Sequence, residues 1–291
     1  MLKKIDCIII GAKKAGTTSL KNYLMQHPDI ISHNTMEFNF FLWDYEFEKT
    51  YEKMFNHYFN VSNNENSKKT ILAKSATLYC NEKAIKRIHN HNPDCKLIFV
   101  LRNPTDRVYS DFCFNKKNGR AGNENINELI VDIKSKNYKT QMFTRYVCIG
   151  LYVKYLITIY KYFPRENVLL IKFEDLVSNS AKVLDMVFHF LELETVDNIN
   201  YNKIHNKTTV PKYPIIAKFH NNLRNRSNII RRFLPFRLYK CISAFLSDFN
   251  RSKKKFNDLD RKHRKILLNY YRPYNKELEK MTGIDFSHWE I

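Results

Sequence analysis

Apolar positions in this chain fall into two kinds of pattern. Four short runs, at 5–10, 70–73, 96–101 and 167–173, carry few polar residues, as strands buried on both faces do. Between and after them, at 17–26, 82–90, 104–115, 142–162 and 180–191, apolar residues recur at helical spacing. Strands alternating with helices predict an α/β fold, a mostly parallel sheet flanked by helices. From about 215 onward the pattern reads as helices with long polar faces, a helical C-terminal part. The Asn/Lys-rich stretch 60–69 and the stretch 115–127 are expected to be surface loops. With six glycines there is little material for a linker, and no repeat is visible, so 1–291 is expected to be a single domain.

Two strand-to-helix junctions hold the candidate chemistry. The run Ile5–Ile10 feeds Gly11-Ala-Lys-Lys-Ala-Gly16, which opens straight into a helical pattern at Thr17. Such a loop aims successive backbone N–H groups at one point and the helix adds its positive end, so an anion fits there. This is a P-loop-like phosphate-binding loop. An ATPase loop places lysine directly after the second glycine; here Thr17 stands there, and the lysines, Lys13 and Lys14, lie inside the loop. Ala15, Gly16, Thr17 and Thr18 would cradle a phosphate through backbone groups and hydroxyls. At the second junction, the strand 96–101 ends in Arg102, followed by Asn103 and Pro104, which suit a helix start. Ser110 lies about two turns into that helix. A forked guanidinium contact from Arg102 and a hydroxyl donor from Ser110 would hold a second phosphate.

As a pair, these motifs resemble those of the sulfotransferases that use 3′-phosphoadenosine-5′-phosphosulfate (PAPS), the first their 5′-phosphosulfate loop and the second their 3′-phosphate motif. His27-Pro-Asp-Ile30, Glu37-Phe-Asn-Phe-Phe41, Lys74-Ser75, Gly150-Leu-Tyr152, Val168–Leu176 and Leu278–Trp289 extend the resemblance nearly end to end, toward bacterial members and the carbohydrate branch. The resemblance implies PAPS as co-substrate and no metal. It makes Lys14 the lysine at the leaving group, Glu37 the general base and Lys74 a cation near the transferring sulfonate or the acceptor. Lys207, Thr208 and Lys212 resemble the late loop that closes over the nucleotide. Asn39 departs from the histidine usual two places after the glutamate, and Ala73 and Ala76 replace a glutamate and a proline around the Lys-Ser pair. His33, His89 and His91 stand in contexts unlike the histidine base of small-molecule members. Arg107 is open to a family role or a structural salt bridge, and Glu174 and Asp175 to a family role or helix capping.

The implied acceptor is a glycan or a small natural product, sulfated at a hydroxyl or an amine. A P-loop-type nucleotide or metabolite kinase is the alternative within enzymes. Charge raises a third class. The chain carries +20, and residues 201–291 hold 21 Lys/Arg against 7 Asp/Glu, a balance of +14. Basic stripes attract anions at long range and often mark nucleic-acid binding, but no nucleic-acid-binding signature accompanies this one. The expectation is therefore no nucleic-acid partner. Cys7, Cys80, Cys95, Cys113, Cys148 and Cys241 show no metal-ligand spacing and read as reduced residues. The apolar run at the start is too short for a signal peptide or a membrane span, so the expectation is a cytoplasmic enzyme with no membrane partner.

Overall fold

The computed structural model describes residues 3–59, 69–201, 210–224, 236–250, 252, 254 and 256–290. In chain order the elements begin β1 (Cys7–Gly11), α1 (Thr17–Leu24), β2 (Ile30–Ser32), α2 (Asp44–Phe47), α3 (Tyr51–Phe59) and β3 (Thr70–Lys74). They continue α4 (Glu82–His91), β4 (Lys96–Leu101), α5 (Pro104–Lys117), α6 (Ile126–Lys134), α7 (Tyr152–Ile159) and β5 (Val168–Lys172). After β5 come α8 (Phe173–Ser178), α9 (Ser180–Phe190), α10 (Pro214–Arg224), α11 (Phe236–Phe249) and α12 (Arg261–Thr282). They fall into two compact units, each discontinuous in the chain: Met1–Asn103 with Leu151–His205, and Pro104–Gly150 with Asn206–Ile291. None of the described helices is long and apolar enough to cross a membrane.

The first unit is an α/β layer structure. Its five strands pair in the order β2-β3-β1-β4-β5, and every pairing is parallel. β1 lies at the centre, with Ile9 opposite Lys74 of β3 and Ile98 of β4. Every residue of β1 is buried, as are all but the first of β4, because helices cover both faces of a parallel sheet. The four expected strands are β1, β3, β4 and β5; the short edge strand β2 is a fifth. In such sheets ligands bind beyond the carboxyl ends of the strands. At those ends stand the Gly11–Gly16 loop, Lys74, Arg102 and Glu174. Gly11 permits this packing, because a Cβ there would come within 2.3 Å of a ring carbon of Tyr79.

The second unit is helical. Arg107 and Asp111, both fully buried, face each other at 3.7 Å one turn apart on α5. Arg107 also donates to the Tyr146 carbonyl, so it ties α5 to the turn at 143–147 and serves as a structural ion pair. Asp106 receives Arg264 of α12 at 2.6 Å, and Tyr271 of α12 donates to the Val147 carbonyl at 2.8 Å.

Two sequence expectations change here. The stretch 142–162 is not one helix: a π turn at Phe143–Val147 and a 3-10 turn at Cys148–Gly150 precede α7. At the break, a Cβ on Gly150 would meet the Tyr271 hydroxyl at 2.8 Å, and Leu151 leaves helical geometry with ψ 62°. The stretch 115–127 is only partly loop. α5 runs on to Lys117, and Asn125 with Glu128 forms a capping box that starts α6.

Candidate active site

The loop after β1 is held from both sides. The Ala12 N–H donates to the Val100 carbonyl of β4 at 2.8 Å, and Arg102 Nη1 donates to the Lys14 carbonyl at 2.9 Å. Lys14 sits at φ 72° and Gly16 at φ 79°. A non-glycine residue at positive φ is strained, and such strain collects at functional sites. Gly16 is the N-cap of α1 and offers no side-chain cap. Leu20 is the first residue to bond back into the helix, to the Gly16 carbonyl at 3.0 Å, so the N–H groups of the first turn lack intrahelical partners. No acidic side chain stands in that turn. A Cβ at position 16 would meet Phe173 and Leu176 of α8 at 3.1–3.2 Å, so the loop is also packed against the β5–α8 corner. Ala15 and Thr17 are buried; Lys13, Lys14 and Thr18 are half-buried.

Glu37, Lys74 and Thr18 meet although they lie far apart in sequence. Lys74 ends β3 with its side chain 1% exposed, and its Nζ donates to Glu37 Oε1 at 2.7 Å, the Met36 carbonyl at 3.0 Å and Thr18 Oγ1 at 3.2 Å. Glu37 Oε2 accepts the Ala76 N–H at 2.9 Å. Its side chain is 34% exposed, so both oxygens are oriented while one edge remains open to solvent. Asn39, where the resembled family has histidine, is turned inward, its Oδ1 accepting from Ser75 Oγ at 2.9 Å.

Beneath this pair lies a buried polar cluster that sequence reading does not find. His33 Nε2 accepts the Lys74 N–H at 3.1 Å, which assigns the proton of the neutral ring to Nδ1. Nδ1 faces Thr35 Oγ1 at 3.0 Å, and Thr35 Oγ1 donates to the Glu37 carbonyl at 2.9 Å. Lys21 of α1, 6% exposed, donates to the carbonyls of His33 at 2.5 Å and Thr35 at 3.1 Å. Burial, and then the charges of Lys21 and Lys74, push His33 down to about 3. With both nitrogens engaged, His33 is no candidate base. The only available hint for Lys21 is its place in α1, four residues after buried Thr17 and three before buried Leu24.

The His33 shift sets a pH dependence. Its folded value lies below the ordinary 6.5, so the unfolded chain takes up the proton first. The stability it allows is complete above about 6.5 and is lost as pH falls toward 3, by about 1.4 kcal/mol per unit across that window. His91, pushed to about 4 mainly by burial, acts in the same direction. Urea unfolding at about pH 7 and about pH 5 should show this loss, with a shallower slope in His33→Gln. An unchanged slope would remove His33 from the account.

At the second junction, the Arg102 guanidinium packs over the Phe173 ring, 4.7 Å from its centroid, while its carbonyl accepts from Tyr152. Glu174 Oε1 accepts the Asn103 N–H at 3.1 Å, so this acid shapes the turn after β4, and Asp175 pairs with Lys172 at 3.7 Å. Ser110 is half-buried on α5, in the second unit. Lys212 is exposed there, with its Nζ over the rings of Tyr213 and Phe249. Lys207 and Thr208 lie outside the described residues.

The family model of the sulfotransferase domain matches residues 4–227, which span both junctions and the Glu37–Lys74 pair. The chain belongs to the sulfotransferase family. This sulfotransferase is 27% identical to heparan sulfate glucosamine 3-O-sulfotransferase 6 of Mus musculus over 286 residues, 98% of this chain and 73% of that one. Human heparan sulfate glucosamine 3-O-sulfotransferase 3B1 is 26% identical over 285 residues, 98% of this chain and 65% of that one. Among solved structures, a sulfotransferase from Alicyclobacillus acidocaldarius superposes with a TM-score of 0.69, covering all of both chains at 18% identity, and so shares the fold.

Proposed function

We propose that this sulfotransferase moves a sulfuryl group from PAPS to a hydroxyl or amine of a glycan or related acceptor, with Glu37 as general base. One observation carries the reading: a single buried ammonium, Lys74 Nζ, bonds both the candidate base and Thr18 in the first turn of α1. The residue that orients the carboxylate is thereby anchored at the mouth of the phosphate loop. The loop fits an anionic group, since its helix start lacks a side-chain cap and an acid, and its backbone is held open at Lys14 and Gly16. When bound, PAPS would supply a sulfuryl group attached to a phosphate leaving group. Backbone N–H groups of Gly16 to Thr18 would hold the 5′-phosphate, with Lys14 countering the charge that grows on it; the Ala15 N–H expected there is instead taken by the Ala12 carbonyl at 3.0 Å. Arg102 takes the 3′-phosphate; Ser110 joins this assignment through its spacing from Arg102. Glu37 accepts the proton of the attacking group, and Lys74 offsets negative charge on the sulfonate oxygens.

The glycan class is drawn from the heparan sulfate enzymes that the chain resembles over nearly its whole length. Arg102→Ala should remove a charged contact of about 1.5–3 kcal/mol, weakening 3′-phosphoadenosine-5′-phosphate (PAP) by roughly tenfold to a hundredfold in Kd. The test of the whole reading is calorimetric titration with PAP, ADP and ATP without added metal, followed by sulfation assays on heparan sulfate and a panel of small alcohols and phenols. Selective PAP binding with transfer to the glycan fits the proposal. Magnesium-dependent preference for ATP would overturn the donor, and transfer to small molecules alone would overturn the glycan.

A further inference from the structure

We infer that Lys21 is a positioning residue, a strut from the phosphate-loop helix that fixes the backbone of 33–37 and so aims Glu37. This rests on Glu37 being the base, as proposed above. Between β2 and Phe38 the chain has no regular structure, yet it must present a carboxylate with a fixed aim. Its shape is set by contacts from three elements, one of them α3, whose Tyr58 carbonyl accepts the Asn34 N–H at 3.1 Å. From β3, the Lys74 N–H binds the His33 ring, and the Lys74 carbonyl accepts the Phe38 N–H at 2.8 Å. From α1, Lys21 reaches in and takes the carbonyls of His33 and Thr35. The ring of His33 and the hydroxyl of Thr35 pass the constraint on to the Glu37 carbonyl. One lysine thereby gathers two carbonyls that β2 and β3 leave unpaired, and it comes from the helix whose first turn contacts Lys74.

Lys21 is an unusual choice for such a task. Its ammonium is buried against His33, beside the like charge of Lys74, with Glu37 as the nearby opposite charge. Burial first, and then Lys74, bring it down to about 8, while Glu37 raises it. A lysine of ordinary helical surface would simply be solvated. An ammonium held here contributes donors in directions that no neutral side chain of that length supplies. Deprotonation removes one of its three donors. The groups facing it are His33 and Glu37 from the segment and Lys74 from β3, and with His33 neutral, Lys21 is the member of this cluster expected to titrate near 8.

The test compares wild type, Lys21→Met and Glu37→Gln in amide hydrogen exchange, PAP calorimetry and sulfation of heparan sulfate. Met at 21 keeps length and apolar packing while removing the donors. The expected result is faster exchange at 34–37 with α1 and β3 still protected, PAP affinity within about twofold, and kcat lower by about tenfold to a hundredfold at nearly unchanged acceptor KM. Unchanged exchange at 34–37 overturns the strut. Lost PAP affinity overturns it too, by making Lys21 a nucleotide ligand, and so does faster exchange with normal kcat, which leaves only a structural role. Glu37→Gln separates the two readings: normal turnover in that variant sinks the base assignment, whereas the exchange behaviour of Lys21→Met judges the strut by itself.

Discussion

Glu37→Gln should cut turnover by about 10²–10⁴ while leaving PAP affinity nearly untouched. The two carboxylate oxygens have separate duties, one accepting from Lys74 and one from the Ala76 N–H. An amide of the same shape keeps one acceptor and presents a donor to the other partner, so one of the two bonds is lost whichever way it turns. The side chain is one-third open to solvent, which tempers the structural penalty. The chemical penalty is not tempered, since an amide cannot take the acceptor's proton. Single-turnover sulfation with saturating PAPS, set beside PAP titration of the same variant, separates the two effects. Normal turnover would end the assignment of Glu37 as base.

Lys74→Met is expected to be nearly as damaging, by about 10²–10³ in turnover, for a different reason. The ammonium is almost fully buried and has three acceptors: the base, the Met36 carbonyl and a hydroxyl of the phosphate-loop helix. Methionine fills the space but holds none of them. Glu37 retains the Ala76 N–H, and its open edge lets water replace part of the lost contact, so the protein should remain folded. Single-turnover sulfation with saturating PAPS measures the loss, and turnover within about tenfold of wild type would remove Lys74 from the chemistry.

How far the site was legible in the sequence depended on how local its parts are. β1, β3, β4 and β5 announced themselves because strands covered on both faces have to be continuously apolar. β2 is three residues long and follows His-Pro-Asp, too short for any periodicity to register. The glycines of the first loop were informative because Gly16 needs φ 79° and Gly11 has a tyrosine ring where a side chain would go. Glu37 and Lys74 were found one at a time, each by likeness to a motif. Their contact was invisible, since it depends on β3 lying beside β1 and on the course of 33–37. Lys21 and His33 were harder still: a lysine in a helix normally means solvent, and only tertiary packing turns this one inward. The helix proposed for 142–162 failed because apolar periodicity says nothing of what must approach Gly150 from a distant helix.

The insertion of 104–150 between β4 and β5 has a consequence for how the chain is made. β4 is complete at Leu101, yet its partner β5 begins only at Val168. During synthesis the strand that carries Arg102 therefore waits with an open edge, its N–H and C=O groups free to pair with any passing strand. A fragment ending before Val168 would keep every residue of the phosphate loop and the Glu37–Lys74 pair and still expose that edge. Truncations meant to isolate the nucleotide half must therefore carry β5, which also brings Phe173 and Glu174 to the second junction.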